Sequence, residues 1–202
     1  MRQAVSRGIY DYWNELRGER AAPERGDIDP AAIRHFLSDS FIIEIDRDCA
    51  FPIRLFGSKL NALWQKDQTG KPFLELWREE DRREVAAAIL TVIDGATPIV
   101  GGAKAKRRGR RATPDVCMDL EVLLLPLRHH GKTHSRLLGA LSCSNPPDWF
   151  GRVEADLLEL CSLRVIRQED QRNERSARGG PGLPGAARRP PQLIVYKGGK
   201  SV

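Results

Sequence analysis

The order in which β-prone and helix-periodic runs follow one another constrains this chain more than any single motif. Two short β-rich runs come first: residues 40–46 (Ser-Phe-Ile-Ile-Glu-Ile-Asp) and 51–56, with Arg47-Asp48 between them. They read as a hairpin, and Pro52 puts the second strand at a sheet edge because proline cannot donate to a ladder. Helical stretches follow. One begins after Gly57 and carries Leu60, Leu63 and Trp64; a further turn spans residues 73–77. The longest helix spans 79–93, with Val85, Ala88, Ile89, Val92 and Ile93 on one side and Asp94-Gly95 closing it. Three more β runs then appear. Thr97–Val100 opens one that leads toward a basic loop. In 116–127, Met118, Leu120, Val122 and Leu124 alternate with Asp119 and Glu121 before the run becomes wholly apolar. Residues 137–143 form the last, after a turn at His129–Lys132. A parallel doubly wound sheet needs strands alternating with helices, which this order lacks. It predicts an α+β fold: a five-stranded antiparallel sheet with helices on one face.

Helices are expected to flank that sheet. Residues 1–18 carry Val5, Ile9, Tyr12, Trp13 and Leu16 at helical spacing, ending at Gly18. This stripe can cover the sheet or pair with a second copy. A short helix at 31–37 is expected after Asp29 as N-cap and Pro30 in its first position. The main domain is placed at 27–147. A C-terminal helix is expected over 148–172, from Val153, Leu157, Leu160, Cys161, Leu163 and Val165. Residues 173–202, rich in Gly, Pro, Ala and Arg and holding a short β-prone patch at Leu193–Tyr196, read as a disordered basic tail.

Charge is unevenly spread. Lys104, Lys106, Arg107, Arg108, Arg110 and Arg111 put +6 into eight residues, and the chain from Arg172 onward holds another +6. Since the whole chain is +6, the rest is −6: an acidic body with a basic loop and a basic tail. No run reaches the roughly 18–20 apolar residues of a membrane helix, and the opening residues lack the apolar core of a signal peptide. A cytoplasmic protein with no membrane contact is expected. Cys49, Cys117, Cys143 and Cys161 are widely spaced, which fits reduced thiols and no zinc cluster.

The combination Tyr12-Trp13-x-x-Leu16-Arg17-Gly18 and Pro23-x-Arg25-x-Asp27-Ile28-Asp29-Pro30 resembles the opening of a family of small alphaproteobacterial single-PAS-domain proteins. The resemblance continues through Arg54-Leu55-Phe56-Gly57, Asp67-x-Thr69-Gly70-Lys71-Pro72, Glu121-x-Leu123-Leu124-Leu125-Pro126-Leu127 and Leu138-Gly139-Ala140-Leu141. It covers about residues 5 to 150, and the basic run 104–111 looks expanded relative to the family pattern. It implies a PAS-like fold, a regulatory role in bacterial signalling, no general catalytic activity, and dimerisation through flanking helices.

Such domains often hold a ligand between the sheet and its helices. The residues expected to line that space are Phe56, Leu60, Leu63, Trp64, Phe73, Leu76, Ile89, Val92, Leu124 and Leu141, although an ordinary packed core is the simpler reading of them. Haem is disfavoured, because the long helix has no His, Cys or Met to serve as axial ligand. Flavin is disfavoured because the Asn-Cys-Arg-Phe type of motif is missing. His129, His130 and His134 lack supporting carboxylates and are read as a solvated turn, not a metal site. No nucleophile elbow, acid–base pair or phosphate loop is found, so the chain is not expected to be an enzyme. With no output domain recognised after Asn145, the expected partner is another signalling protein, with a homodimer formed through the 1–18 helix. The alternative is a nucleic-acid or nucleotide partner at Lys104, Lys106, Arg107, Arg108, Arg110 and Arg111, which lack interleaved aromatics for base stacking.

Overall fold

A computed structural model describes residues 1–46, 48, 50–109, 117–129 and 132–166. The elements are α1 (Ala4–Arg17), β1 (Ser40–Glu44), β2 (Ile53–Phe56), α2 (Ser58–Trp64), α3 (Glu79–Gly95), β3 (Ile99–Lys106), β4 (Cys117–His129), β5 (Lys132–Ser142) and β6 (Glu159–Val165). Single 3-10 turns occur at Arg25–Asp27, Leu37–Asp39 and Phe73–Leu76. The strands form one antiparallel sheet in the order β2-β1-β5-β4-β3-β6. The fold class, the hairpins and the edge position of β2 match the sequence reading. The β2 edge is itself covered: Ile53 N–H donates to the Lys71 carbonyl at 2.9 Å, and Gly70 N–H donates to the Ile53 carbonyl at 2.7 Å.

Strand alternation splits the sheet into two apolar faces. On the inner face, Phe41, Ile43, Met118, Leu120, Val122, Leu124 and Leu141 pack with α2 and α3 around Leu63, Trp77, Ile89 and Val92. On the outer face, Ile42, Leu123, Leu125, Leu127, Leu138 and Ala140 pack with Ile9, Tyr10 and Trp13 of α1 and with Ala22, Ile28 and Ile33. The main helices were expected on one face, with the first helix left either to cover the sheet or to pair with a second copy; it covers the outer face. The wholly apolar end of β4 explains this, since a strand with Leu at successive positions needs cover on both sides.

Two glycines make this packing possible. Gly139 lies opposite Phe41 in the ladder, and a Cβ there would sit 2.1 Å from the Phe41 ring. That absence lets the ring lie flat on β5 and stack on Phe73, with centroids 4.8 Å apart. At Gly57 a Cβ would meet the backbone carbonyls of Leu37 and Ser38 at 2.4 and 2.3 Å. Both glycines stand in the motifs that carry the family resemblance.

The C-terminal helix predicted over 148–172 is not formed in its described part. Gly151 at φ 71° breaks helical continuation, and residues 159–165 become β6, a sixth strand beside β3. The apolar spacing there was ambiguous, because Leu158, Leu160, Leu163 and Val165 satisfy a bulged strand as well as a helix stripe. The open edge of β3 decides the outcome by offering a ladder. The helix predicted at 31–37 is likewise a series of turns ending in the 3-10 segment, although Asp29 does cap it by accepting the Ala31 N–H at 2.8 Å. Helix α3 runs through Gly95, and Ala96 takes the left-handed position at φ 46° instead. The tail 173–202 and residues Arg110 and Arg111 lie outside the described residues. No described helix is long and apolar enough to cross a membrane.

Candidate ligand cavity and its link to the first helix

All ten residues predicted to line a ligand space lie in the inner core cluster. Three of them, Leu60, Leu63 and Leu141, border a cavity of about 190 Å³ between α2 and the strands β4 and β5. Met118, Leu120, Cys143, Pro146 and Phe150 complete its apolar wall, and Asp39, Lys59 and Ser144 supply the polar atoms. Trp64 and Leu76 border a different space of about 250 Å³, rimmed by Lys66, Lys71 and Arg108. Phe56, Phe73, Ile89, Val92 and Leu124 are buried in the same core. The volume of the first cavity falls below the roughly 300–1,000 Å³ of drug-sized pockets, so it suits a small molecule. Met118 and Leu120 share the alternation phase of Leu124 and were readable from it. Phe150 and Asp39 were not: one stood in the predicted C-terminal helix and the other between the predicted helix 31–37 and the β run 40–46.

The polar end of this cavity is built around Asp39, which is 5% exposed. Its Oδ2 accepts from Ser38 Oγ and from Lys59 Nζ, both at 2.9 Å. Lys59 itself is more than half exposed. Burial pushes the Cys143 thiol above its ordinary value, so the cavity wall carries a neutral sulfur.

On the reverse side of the same two strands, the start of α1 is pinned. Gln3 makes no side-chain cap for its helix. Instead the Glu121 carboxylate accepts the backbone N–H groups of Arg2 and Gln3 at 2.7 and 3.0 Å, placing a negative charge at the positive end of the helix dipole. Ser6 and Ser142, both buried, meet hydroxyl to hydroxyl at 3.3 Å. Ser144 Oγ bonds Gln3 Oε1. Farther along, Trp13 Nε1–H donates to the Pro126 carbonyl at 2.8 Å, and the Arg17 guanidinium lies 5.4 Å from the Trp13 ring centre. The stripe proposed for dimer contacts is thus used inside the chain. Ile9 and Trp13 are fully buried on the sheet, while Val5, Tyr12 and Leu16 are partly buried against the same cluster.

The basic run is partly neutralised where it is described. Lys106 Nζ pairs with Glu159 Oε2 at 3.0 Å, and Arg108 pairs with Glu154, which also meets Lys66 at 3.2 Å. Bonds from Lys106 hold the Glu159 carboxyl below its ordinary range, and bonds from Arg108 and Lys66 do the same for Glu154. Both acids were hidden inside the presumed C-terminal helix. The β3–β6 register, with Lys104 opposite Glu159, brings them alongside the cations. Lys104 is exposed and Arg107 half-buried.

A two-faced antiparallel sheet, with a cavity on one side and a pinned helix on the other, defines an α+β domain. A family model described as the PAS domain matches residues 1–142, and the chain belongs to the PAS-domain family. The matched span takes in α1 and ends with β5, so β6 lies beyond it. A crystal structure of the PAS domain of a protein from Colwellia psychrerythraea is 13% identical, with a TM-score of 0.42, and covers 57% of this chain and 97% of that one. No curated protein matches the chain.

Proposed function

We propose that this protein is a sensor or adaptor in bacterial signalling, like the small single-PAS proteins its motifs resemble. In this reading a small ligand in the α2–β4–β5 cavity controls protein–protein contacts made through α1. One observation carries it: cavity-wall residues and helix anchors alternate on the same strands. Leu120 lines the cavity and Glu121, its neighbour, holds α1; Leu141 and Cys143 line the cavity and Ser142 between them holds α1. A shift that a ligand imposes on either strand is therefore imposed on the helix anchors as well. The ligand binds one arrangement of the anchored helix more tightly and biases the population toward it. Release of α1 would bare Ile9, Tyr10 and Trp13 together with Leu123 and Leu125, an apolar surface for a second copy or another signalling protein.

A nucleic-acid partner at the basic run is the weaker reading, because Lys106 and Arg108 already face Glu159 and Glu154. Native mass spectrometry of the full chain, compared with its denatured mass, tests the ligand. The expected result is an extra mass lost on denaturation. Identical masses after purification from the native host, with no partner captured beside it, would contradict the proposal.

A further inference from the structure

We infer that the cavity selects a small, uncharged apolar molecule bearing one O–H or N–H donor, and that Asp39 is the residue that selects it. The inference rests on the ligand reading above and deepens it. Apolar side chains, among them Leu60, Leu63, Met118, Leu120, Leu141 and Phe150, make up most of the cavity wall, so most of the ligand surface must be hydrocarbon. The one buried charge among the lining residues is the Asp39 carboxylate. Two donors, Ser38 Oγ and Lys59 Nζ, meet its Oδ2. An ionised carboxylate offers about four acceptor sites over two oxygens, so Asp39 retains capacity for a donor from the ligand.

Lys59 does not turn the site into an anion receptor. Its ammonium is bonded to Asp39 and more than half exposed, so its charge is already paired and solvated. A ligand carboxylate would enter beside a buried like charge, where repulsion is screened least. A ligand cation would enter beside Lys59. The Cys143 thiol on the same wall is neutral, since burial raises its pKa. A neutral donor meets neither penalty. Hydrogen bonds to charged groups are among the stronger ones in proteins, so the donor sets the preference among ligands of equal size.

The test uses three probes of one shape, benzyl alcohol, toluene and benzoate, titrated into the full chain and followed by methyl shifts of Leu60 and Leu141. Benzyl alcohol is expected to bind about tenfold tighter than toluene, a difference of about 1.4 kcal/mol, with benzoate the weakest. Asp39→Leu should bring benzyl alcohol and toluene to equal affinity. Lys66→Met, a change at an exposed side chain outside this cavity, should keep the order. Toluene binding as tightly as benzyl alcohol to the unmodified chain, or benzoate binding best, overturns the selectivity while leaving the cavity reading standing. Absence of binding by all three up to their solubility limits overturns both.

Discussion

The two faces of the sheet are both buried, yet they are built by different rules. The outer face joins aliphatic strand residues to one helix through directed polar contacts: Glu121 to two backbone N–H groups, Ser6 to Ser142, and Trp13 to the Pro126 carbonyl. The inner face is aromatic and less completely matched. The indole N–H groups of Trp64, Trp77 and Trp149 are buried with no hydrogen-bond partner among the described residues, and the cavity lies on this side. An unmet buried donor costs about 1–3 kcal/mol, so the inner face keeps aromatic bulk at the expense of polar satisfaction. The lesson is a division of labour: one face fixes a helix in one register, and the other leaves room.

Substitutions on each face put that contrast to the test. Trp13→Ala removes the largest outer-face side chain and its hydrogen bond, with an expected loss of about 3–5 kcal/mol in denaturant unfolding. Gly139→Ala drives a methyl into the Phe41 ring on the inner face and should cost about 1–3 kcal/mol. Glu121→Gln leaves one acceptor oxygen for two N–H groups and removes the charge at the start of α1. A loss of about 1.5 kcal/mol is expected, with faster hydrogen exchange confined to α1.

Paired Trp→Phe changes make the sharpest comparison. At Trp13 the exchange strands the Pro126 carbonyl and should cost about 1 kcal/mol, whereas at Trp64 it deletes an unmet donor and should be neutral or stabilising. Equal costs at both sites would erase the distinction between the faces. Acid should have the smallest effect. Glu154 and Glu159 have folded-state values below the ordinary 4.5, so their contribution is present above that pH and fades as pH falls through the lowered values. Because these groups are near the surface, a shallow loss of β6 protection is expected below about pH 4.5, and salt should flatten it further.

Much of the fold was legible because period and punctuation agreed. Pro52 placed β2 at an edge, and the 79–93 stripe gave α3. The alternation of Met118, Leu120, Val122 and Leu124 gave the inner face of β4, while the need for cover that the apolar run beyond it carries became plain only in the folded sheet. The cavity wall was partly legible for the same reason: Leu60 and Leu63 on α2 face Leu141 on β5. The C-terminal helix failed because tertiary pairing overrode an ambiguous local pattern. Leu158 to Val165 fits a helix or a bulged strand, and only the open edge of β3 chose between them. Asp39 and Glu121 were unreadable as site residues, because their roles depend on partners far away in the chain. A single acidic residue beside a strand says nothing of what it will hold.

The most direct test of the account is whether α1 feels the cavity. Hydrogen exchange of the α1 amides from Arg7 to Trp13 should be measured with the cavity empty and with it saturated by benzyl alcohol, saturation being read from the Leu60 and Leu141 methyl shifts. The account predicts a change in α1 exchange of about tenfold, equivalent to about 1.4 kcal/mol, that Glu121→Gln removes. Saturated methyl shifts with unchanged α1 exchange would contradict it, leaving a cavity and a pinned helix that share strands without sharing a signal.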